Sequence, residues 1–280
     1  MATKSGIKLQ RKTKSEVKLR SITLISGASA GIGALLAGEF ARGGHDLVLV
    51  ARSADKLASL AQELEKKYAV KVWPLAMDLA LDAAPEKLAQ QLNQLGLQVE
   101  ILVNNAGVLE QGAFADIPWQ RHQAIIQLNI SSLTAMLSQF LPGMQARGIG
   151  KILNVASIAA FQPVVTLASY AASKAYVLSL TEALAEECKG TGVTVTALCP
   201  GITATNMIAS ATEKNPSLVQ IPEFMIGDPQ RVAEEGYQAC MQGEVIRVPG
   251  VINLATTLVA RATPKWLVRR VAGLLGRKAL

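Results

Sequence analysis

Short apolar runs alternate with stretches of helical periodicity along most of the chain. The β runs are Ser21–Ser26, Leu47–Val50, Val70–Ala76, Ile101–Val103, Lys151–Val155, Val193–Leu198 and Val245–Val248. They are mostly continuous apolar rather than alternating, as expected for strands covered on both faces. Between the first two, Ile32, Leu35, Leu36 and Phe40 recur at helical spacing until Gly43-Gly44 stops the helix. Ser53 predicts the N-cap of a helix reaching about Lys67, and further helices are predicted over 83–95, 119–146 and 168–188. Asp228 followed by Pro229 starts a helix running to about Met241. Seven β runs alternating with helices predict an α/β fold. It should be a single-domain, Rossmann-like, doubly wound parallel sheet with helices on both faces.

The first strand and helix are joined by Ser26-Gly27-Ala28-Ser29-Ala30-Gly31-Ile32-Gly33. At that place free backbone N–H groups and the helix dipole favour a phosphate. Glycines there let phosphate oxygens approach without a Cβ in the way. The spacing GxxxGxG differs from the common GxGxxG fingerprint. The second strand ends Val50-Ala51-Arg52-Ser53, without the carboxylate that binds a ribose 2′-hydroxyl. Arg52 instead offers a cationic fork to a 2′-phosphate, which points to NADP(H) rather than NAD. Gly27-Ala28-Ser29-Ala30-Gly31 also matches the GxSxG elbow of serine hydrolases. That chemistry needs a histidine base. The chain has two histidines, His45 in a Gly-Gly-His-Asp turn and His122 opening a helix. Both read as surface positions, so the hydrolase reading is the weaker one.

Composition narrows the classes further. Half of the 280 residues are apolar, enough for a sizeable core. The net charge of +7 is unevenly placed: residues 1–20 carry +6, residues 261–280 another +6, and the stretch between them −5. A body that is not basic argues against a nucleic-acid groove. The polar, lysine-rich residues 1–19 read as a tail without the apolar core of a signal peptide. No run of 18 apolar residues predicts a transmembrane helix. Cys188, Cys199 and Cys240 lack ligand spacing and read as core thiols of a reducing compartment, so a cytoplasmic location is expected.

The chemistry concentrates in Tyr170-Ala-Ala-Ser-Lys174, where an i, i+4 pair places a phenol beside an ammonium. A nearby cation favours tyrosinate, so Tyr170 is a candidate proton donor to a carbonyl. Ser157 follows the 151–155 strand, and Asn104-Asn105-Ala106-Gly107 follows the 101–103 strand, both at the edge where open α/β sheets bind ligands. Together with the glycine loop, Asn129 and Pro200-Gly201, these motifs resemble the short-chain dehydrogenase/reductase family over roughly residues 20–250. Ser26 stands where that family usually has Thr, and keeps the hydroxyl. A non-catalytic dinucleotide sensor would be expected to lack part of the set; here it is complete.

The resemblance implies hydride transfer between a nicotinamide and a carbonyl or secondary alcohol. Gly27, Ser29, Ile32 and Gly33 would line the pyrophosphate and adenosine ribose, and Asp78 the adenine. Asn104, Ala106 and Gly107 would pack near the adenosine. Tyr170 would donate the proton, Ser157 would orient the carbonyl, and Asn129 would hold a relay water. Lys174 would bind the nicotinamide ribose and lower the Tyr170 pKa. Pro200, Gly201, Ile202 and Thr205 would meet the nicotinamide side. A homodimer or homotetramer built on the helices 119–146 and 168–188 is also implied.

Residues 202–227 are read as a substrate lid carrying Met207, Ile208, Leu218 and Phe224, which suits an apolar substrate. Residues 251–280 form a basic helical extension. Leu267, Val268, Val271, Leu274 and Leu275 share one arc, and Lys265, Arg269, Arg270 and Arg277 fall mostly on the other. Such a helix could lie on an anionic membrane through 262–280 or pack on protein.

Overall fold

In the computed structural model, residues 19–203 and 227–276 are described. The basic tail, Thr205 and nearly all of the expected lid lie outside them. Seven parallel strands run β1 Arg20–Ser26, β2 Leu47–Ala51, β3 Val72–Ala76, β4 Leu97–Asn104, β5 Gly150–Val155, β6 Val193–Leu198 and β7 Ile246–Arg247. The sheet order is β3-β2-β1-β4-β5-β6-β7. The order reverses between β1 and β4, and that switch point opens a crevice at the strands' C-terminal edge. The helices are α1 Gly31–Arg42, α2 Ala54–Tyr68, α3 Ala84–Gln94, α4 Trp119–Ile125, α5 Leu133–Arg147, α6 Ala168–Glu187, α7 Pro229–Gln242, α8 Val251–Ala262 and α9 Lys265–Gly276.

Both sheet faces are covered. Successive residues point to opposite sides, so Leu24 of β1 joins one core and Ile25 the other. One core packs Leu88, Met136 and Val177 of α3, α5 and α6 against β1, β4 and β5. The other packs Leu36, Phe40, Leu57 and Val232 of α1, α2 and α7 against β1 and β2. The three cysteines are buried free thiols, as expected.

Several boundaries differ from the sequence reading. β4 begins at Leu97, because Gln98 and Glu100 alternate with buried Leu97 and Val99 at the strand's outer end. β7 shrinks to two residues, since it pairs with β6 alone at the sheet edge. Ser53 starts α2 without a side-chain capping bond, whereas Asp228 Oδ1 accepts from Gln230 N at 2.9 Å.

The expected 119–146 helix contains a π-turn, Ile126–Ser132, between α4 and α5. The whole run Trp119–Arg147 is long and apolar enough, by length and composition alone, to cross a membrane. Its apolar residues serve the fold: Leu133, Met136, Leu137 and Met144 are buried against the sheet.

Candidate active site

The glycine loop is built for close backbone approach. Gly27 has φ +66°, in the left-handed region, and a Cβ there would lie 2.8 Å from Ala106 Cα. A Cβ on Gly33 would lie 2.3 Å from Gly27 O, so the first turn of α1 sits directly on the loop. Ala30, at the N-cap of α1, has no capping side chain. The N–H groups that open α1 are therefore left for an external acceptor.

Two residues hold the loop in place. Ser26 Oγ accepts from Asn105 N at 3.0 Å and Ala106 N at 3.1 Å, and donates to Val103 O at 3.3 Å. Asn105 Nδ2 donates to Ser26 O and Gly27 O, each at 3.1 Å. This brace joins the ends of β1 and β4. The sequence motif contained Asn105 but assigned it no role of its own.

Arg52 lies exposed just past β2, with no ion-pair partner among the described residues. Asp78, past β3, closes its own turn by accepting from Ala80 N at 3.0 Å. Asn104 is buried, and its amide donates to Asn154 Oδ1 at 2.9 Å, whose own amide donates to Thr181 Oγ1 at 3.0 Å. The Asn104 amide nitrogen is thus satisfied inside the sheet, while its Oδ1 is buried without a hydrogen-bond partner among the described residues.

On the other side of the switch point, α6 presents Tyr170 and Lys174 on one face. Lys174 is 5% exposed, and its Nζ donates to Val155 O at 2.8 Å. It stands 5.7 Å from the centre of the Tyr170 ring. Desolvation lowers the Lys174 pKa to about 8, partly offset by the Cys199 thiol group. Burial raises the Tyr170 pKa, and a hydrogen bond with Ser157 offsets only part of that rise. In the protein alone burial outweighs that hydrogen bond, so the phenol pKa stands above rather than below its ordinary value. Ser157 Oγ also accepts from Ala159 N at 3.1 Å and lies 3.5 Å from Pro200 O. Behind it, burial pushes the Cys199 thiol up to about 12, which keeps it neutral.

Asn129 sits in the π-turn and is buried. Its Oδ1 accepts from Val108 N at 2.8 Å, and its Nδ2 donates to Val108 O at 3.0 Å and Ser173 Oγ at 3.1 Å. A Cβ on Gly107 would lie 3.2 Å from Asn129 Oδ1 and 3.6 Å from Lys174 Nζ. Gly107, Asn129 and Lys174 therefore share one small space. π-turns widen a helix locally and recur at functional sites; no periodicity in the sequence announced this one.

His122 is a correction. It is 6% exposed rather than on the surface. Its ring stacks on Phe114, and its Nδ1 is 2.7 Å from Ser169 Oγ, next to Tyr170. One side of the ring is occupied by Ser169 and the other by Phe114 O at 3.3 Å, so it is no base for Ser29. Thr166, four residues before Tyr170, is held at φ +69°, and its carbonyl accepts from Gly112 N at 3.0 Å. A β-branched residue in that region carries strain of about 1–3 kcal/mol.

Pro200 and Gly201 follow β6. Pro200 O accepts from Ile158 N at 2.9 Å, which ties this turn to the Ser157 loop. Ile202 O accepts from Gly227 N at 2.7 Å, closing the base of the segment that leaves the described residues. Gly27, Ser29, Ile32, Gly33, Ala106, Gly107, Ser157, Tyr170, Lys174, Pro200, Gly201 and Ile202 all fall at the C-terminal edge of the sheet or on the segments that leave it.

The short chain dehydrogenase family matches residues 21–216. The chain belongs to that family. It is 29% identical to the 3-oxoacyl-[acyl-carrier-protein] reductase of Aquifex aeolicus over 244 residues, which is 84% of this chain and 98% of that protein. It is 33% identical over 194 residues to the very-long-chain 3-oxoacyl-CoA reductase of Mus musculus, covering 68% of this chain and 62% of that protein. Among solved structures, a short-chain dehydrogenase from Sphingobium yanoikuyae in complex with NADPH superposes with a TM-score of 0.75 at 30% identity. That superposition covers 88% of this chain and 97% of that one. The protein is thus an oxidoreductase of a family that uses nicotinamide cofactors.

Proposed function

We propose that this family member is an NADP(H)-dependent carbonyl reductase acting on an apolar ketone, working as a homodimer or homotetramer through α4, α5 and α6. The observation that carries the reading is the convergence of Ser157, Tyr170 and Lys174 beside Gly107, across the crevice from an uncapped glycine loop.

The residues present fit a dinucleotide. The orphan N–H groups at the start of α1 would take the pyrophosphate, and the exposed Arg52 the 2′-phosphate. Lys174 would hold the nicotinamide-side ribose, with Pro200, Gly201 and Ile202 bordering that end. When bound, the cofactor supplies the hydride. The chain supplies position and a proton. Ser157 would orient the carbonyl oxygen, and Tyr170 would give it the phenolic proton. Burial raises the Tyr170 pKa, so the phenol carries its proton at neutral pH, the form that reduction uses. Asn129 would hold a relay water while fixing Val108 and Ser173.

The relatives named as 3-oxoacyl reductases support a 3-oxoacyl thioester or a comparably apolar ketone as substrate. The test is NADPH and NADH binding by fluorescence, followed by turnover on acyl-chain and bulky ketones. The reading requires tighter binding of NADPH than of NADH and turnover with at least one apolar ketone. Equal binding of the two cofactors would refute the cofactor assignment.

A further inference from the structure

An amphipathic surface helix ordinarily turns its apolar face to the core. α8 does the opposite. Its buried residue is Thr257, at 5% exposure, and half-buried Asn253 lies one turn before it. Asn253 faces the body: a Cβ on Gly201 would lie 2.4 Å from its Nδ2. Val251, Ile252, Leu258 and Val259 are 53–78% exposed. In α9, Leu267, Val271 and Leu274 lie on one stripe and are 38–63% exposed. These two consecutive helices hold nine of the eighteen large hydrophobic residues exposed among the described ones. Scattered exposed apolar residues are normal, but this concentration marks a surface that no described residue covers.

Charge selects the partner. Residues 251–280 contain six Lys or Arg and no acid. An isologous contact with a second copy would bring these like charges together. A nucleic acid would answer the cations but leave Val259 and Leu274 in water. Trp266, 55% exposed with the Arg270 guanidinium over its ring at 5.9 Å, has the mixed character of the headgroup region. We propose that α8 and α9 dock the protein on an anionic lipid bilayer, with the apolar stripes in the acyl boundary and Lys265, Arg269 and Arg270 among the headgroups.

α8 rests on the Gly201 turn and on the 158–161 turn that follows Ser157. Arg261 anchors its far end, 3.8 Å from Glu182 and 5.7 Å from the Phe161 ring centre. Docking would therefore hold the Ser157–Gly201 side of the crevice close to the bilayer. The docking itself is independent of the chemistry at Tyr170.

The test is flotation of the full chain with phosphatidylcholine vesicles, with and without phosphatidylglycerol. The variants are Leu258→Glu/Val259→Glu and Arg269→Glu/Arg270→Glu, checked for an unchanged melting temperature. Flotation should need phosphatidylglycerol, fall with salt, and drop by about tenfold or more in each double variant. Absence of flotation, or flotation unchanged in both variants as when the basic N-terminal segment alone binds, would overturn the proposal. So would a concentration-dependent dimer, seen in the ultracentrifuge, that Leu258→Glu/Val259→Glu dissolves while vesicle binding stays absent.

Discussion

α6 and α8 break the ordinary rule for helix faces in opposite ways. α6 buries polar groups: Ser173, Lys174 and Thr181 are at most 5% exposed. α8 exposes apolar ones and buries Thr257. In α6 every buried polar group found a partner inside the protein: Lys174 on Val155 O, Ser173 on Tyr170 O at 2.7 Å, and Thr181 on Val177 O at 2.7 Å. The apolar face of α8 has no such partner among the described residues. One helix has its departure from the rule compensated internally, as a reaction centre requires. The other is left uncompensated by the described residues, which is the ground for the proposed membrane docking.

Substitutions can break or sharpen that contrast. The largest effect belongs to Lys174, the most costly buried group in α6. Lys174→Met should lower kcat/KM by about a thousandfold, because it removes the cation proposed to position the nicotinamide-side ribose beside Tyr170. Its protonation also sets a pH limit. The Lys174 pKa near 8 means that the ammonium is present below that pH and lost above it. kcat/KM for NADPH should therefore fall as pH rises through about 8, and Lys174→Arg should remove that limb.

Leu178→Ala, on the apolar side of α6, should destabilise the fold by about 2–5 kcal/mol in urea denaturation, because it opens a cavity in a packed core. Arg52 is exposed like the apolar face of α8, and is proposed to meet the 2′-phosphate. Arg52→Ala should weaken NADPH binding by about 1.5–3 kcal/mol and leave NADH binding unchanged in a fluorescence titration. The smallest effect is on α8 itself. Leu258→Glu should change stability by less than about 0.5 kcal/mol, since the side chain is 56% exposed. A large loss there would mean that the α8 face packs within the protein and that the contrast with α6 is false.

Much of this organisation was legible in the sequence. Short apolar runs such as Leu47–Val50, alternating with stretches of helical periodicity, read as strands covered on both faces, and that placed the sheet and hence the edge where the motifs gather. What was not legible depends on long-range contacts. His122 reads as a helix-surface residue until Phe114 and Ser169 close over it. The π-turn at Asn129 leaves no mark on a hydrophobic pattern. The YxxxK spacing brought Tyr170 and Lys174 together correctly. The direction of the Tyr170 shift depends on burial, which spacing cannot carry. The inverted face of α8 was missed because periodicity finds a stripe but not the side it turns to the body.

The most direct test of the proposed chemistry is NADPH consumption at 340 nm by wild type and Tyr170→Phe on an apolar 3-oxoacyl or bulky ketone, with NADPH affinity measured in parallel. The account predicts that Tyr170→Phe binds NADPH within about twofold of wild type and loses about a thousandfold in kcat, because only the proton is removed. Turnover retained in Tyr170→Phe, with NADPH still bound, would contradict it and place the proton donor elsewhere.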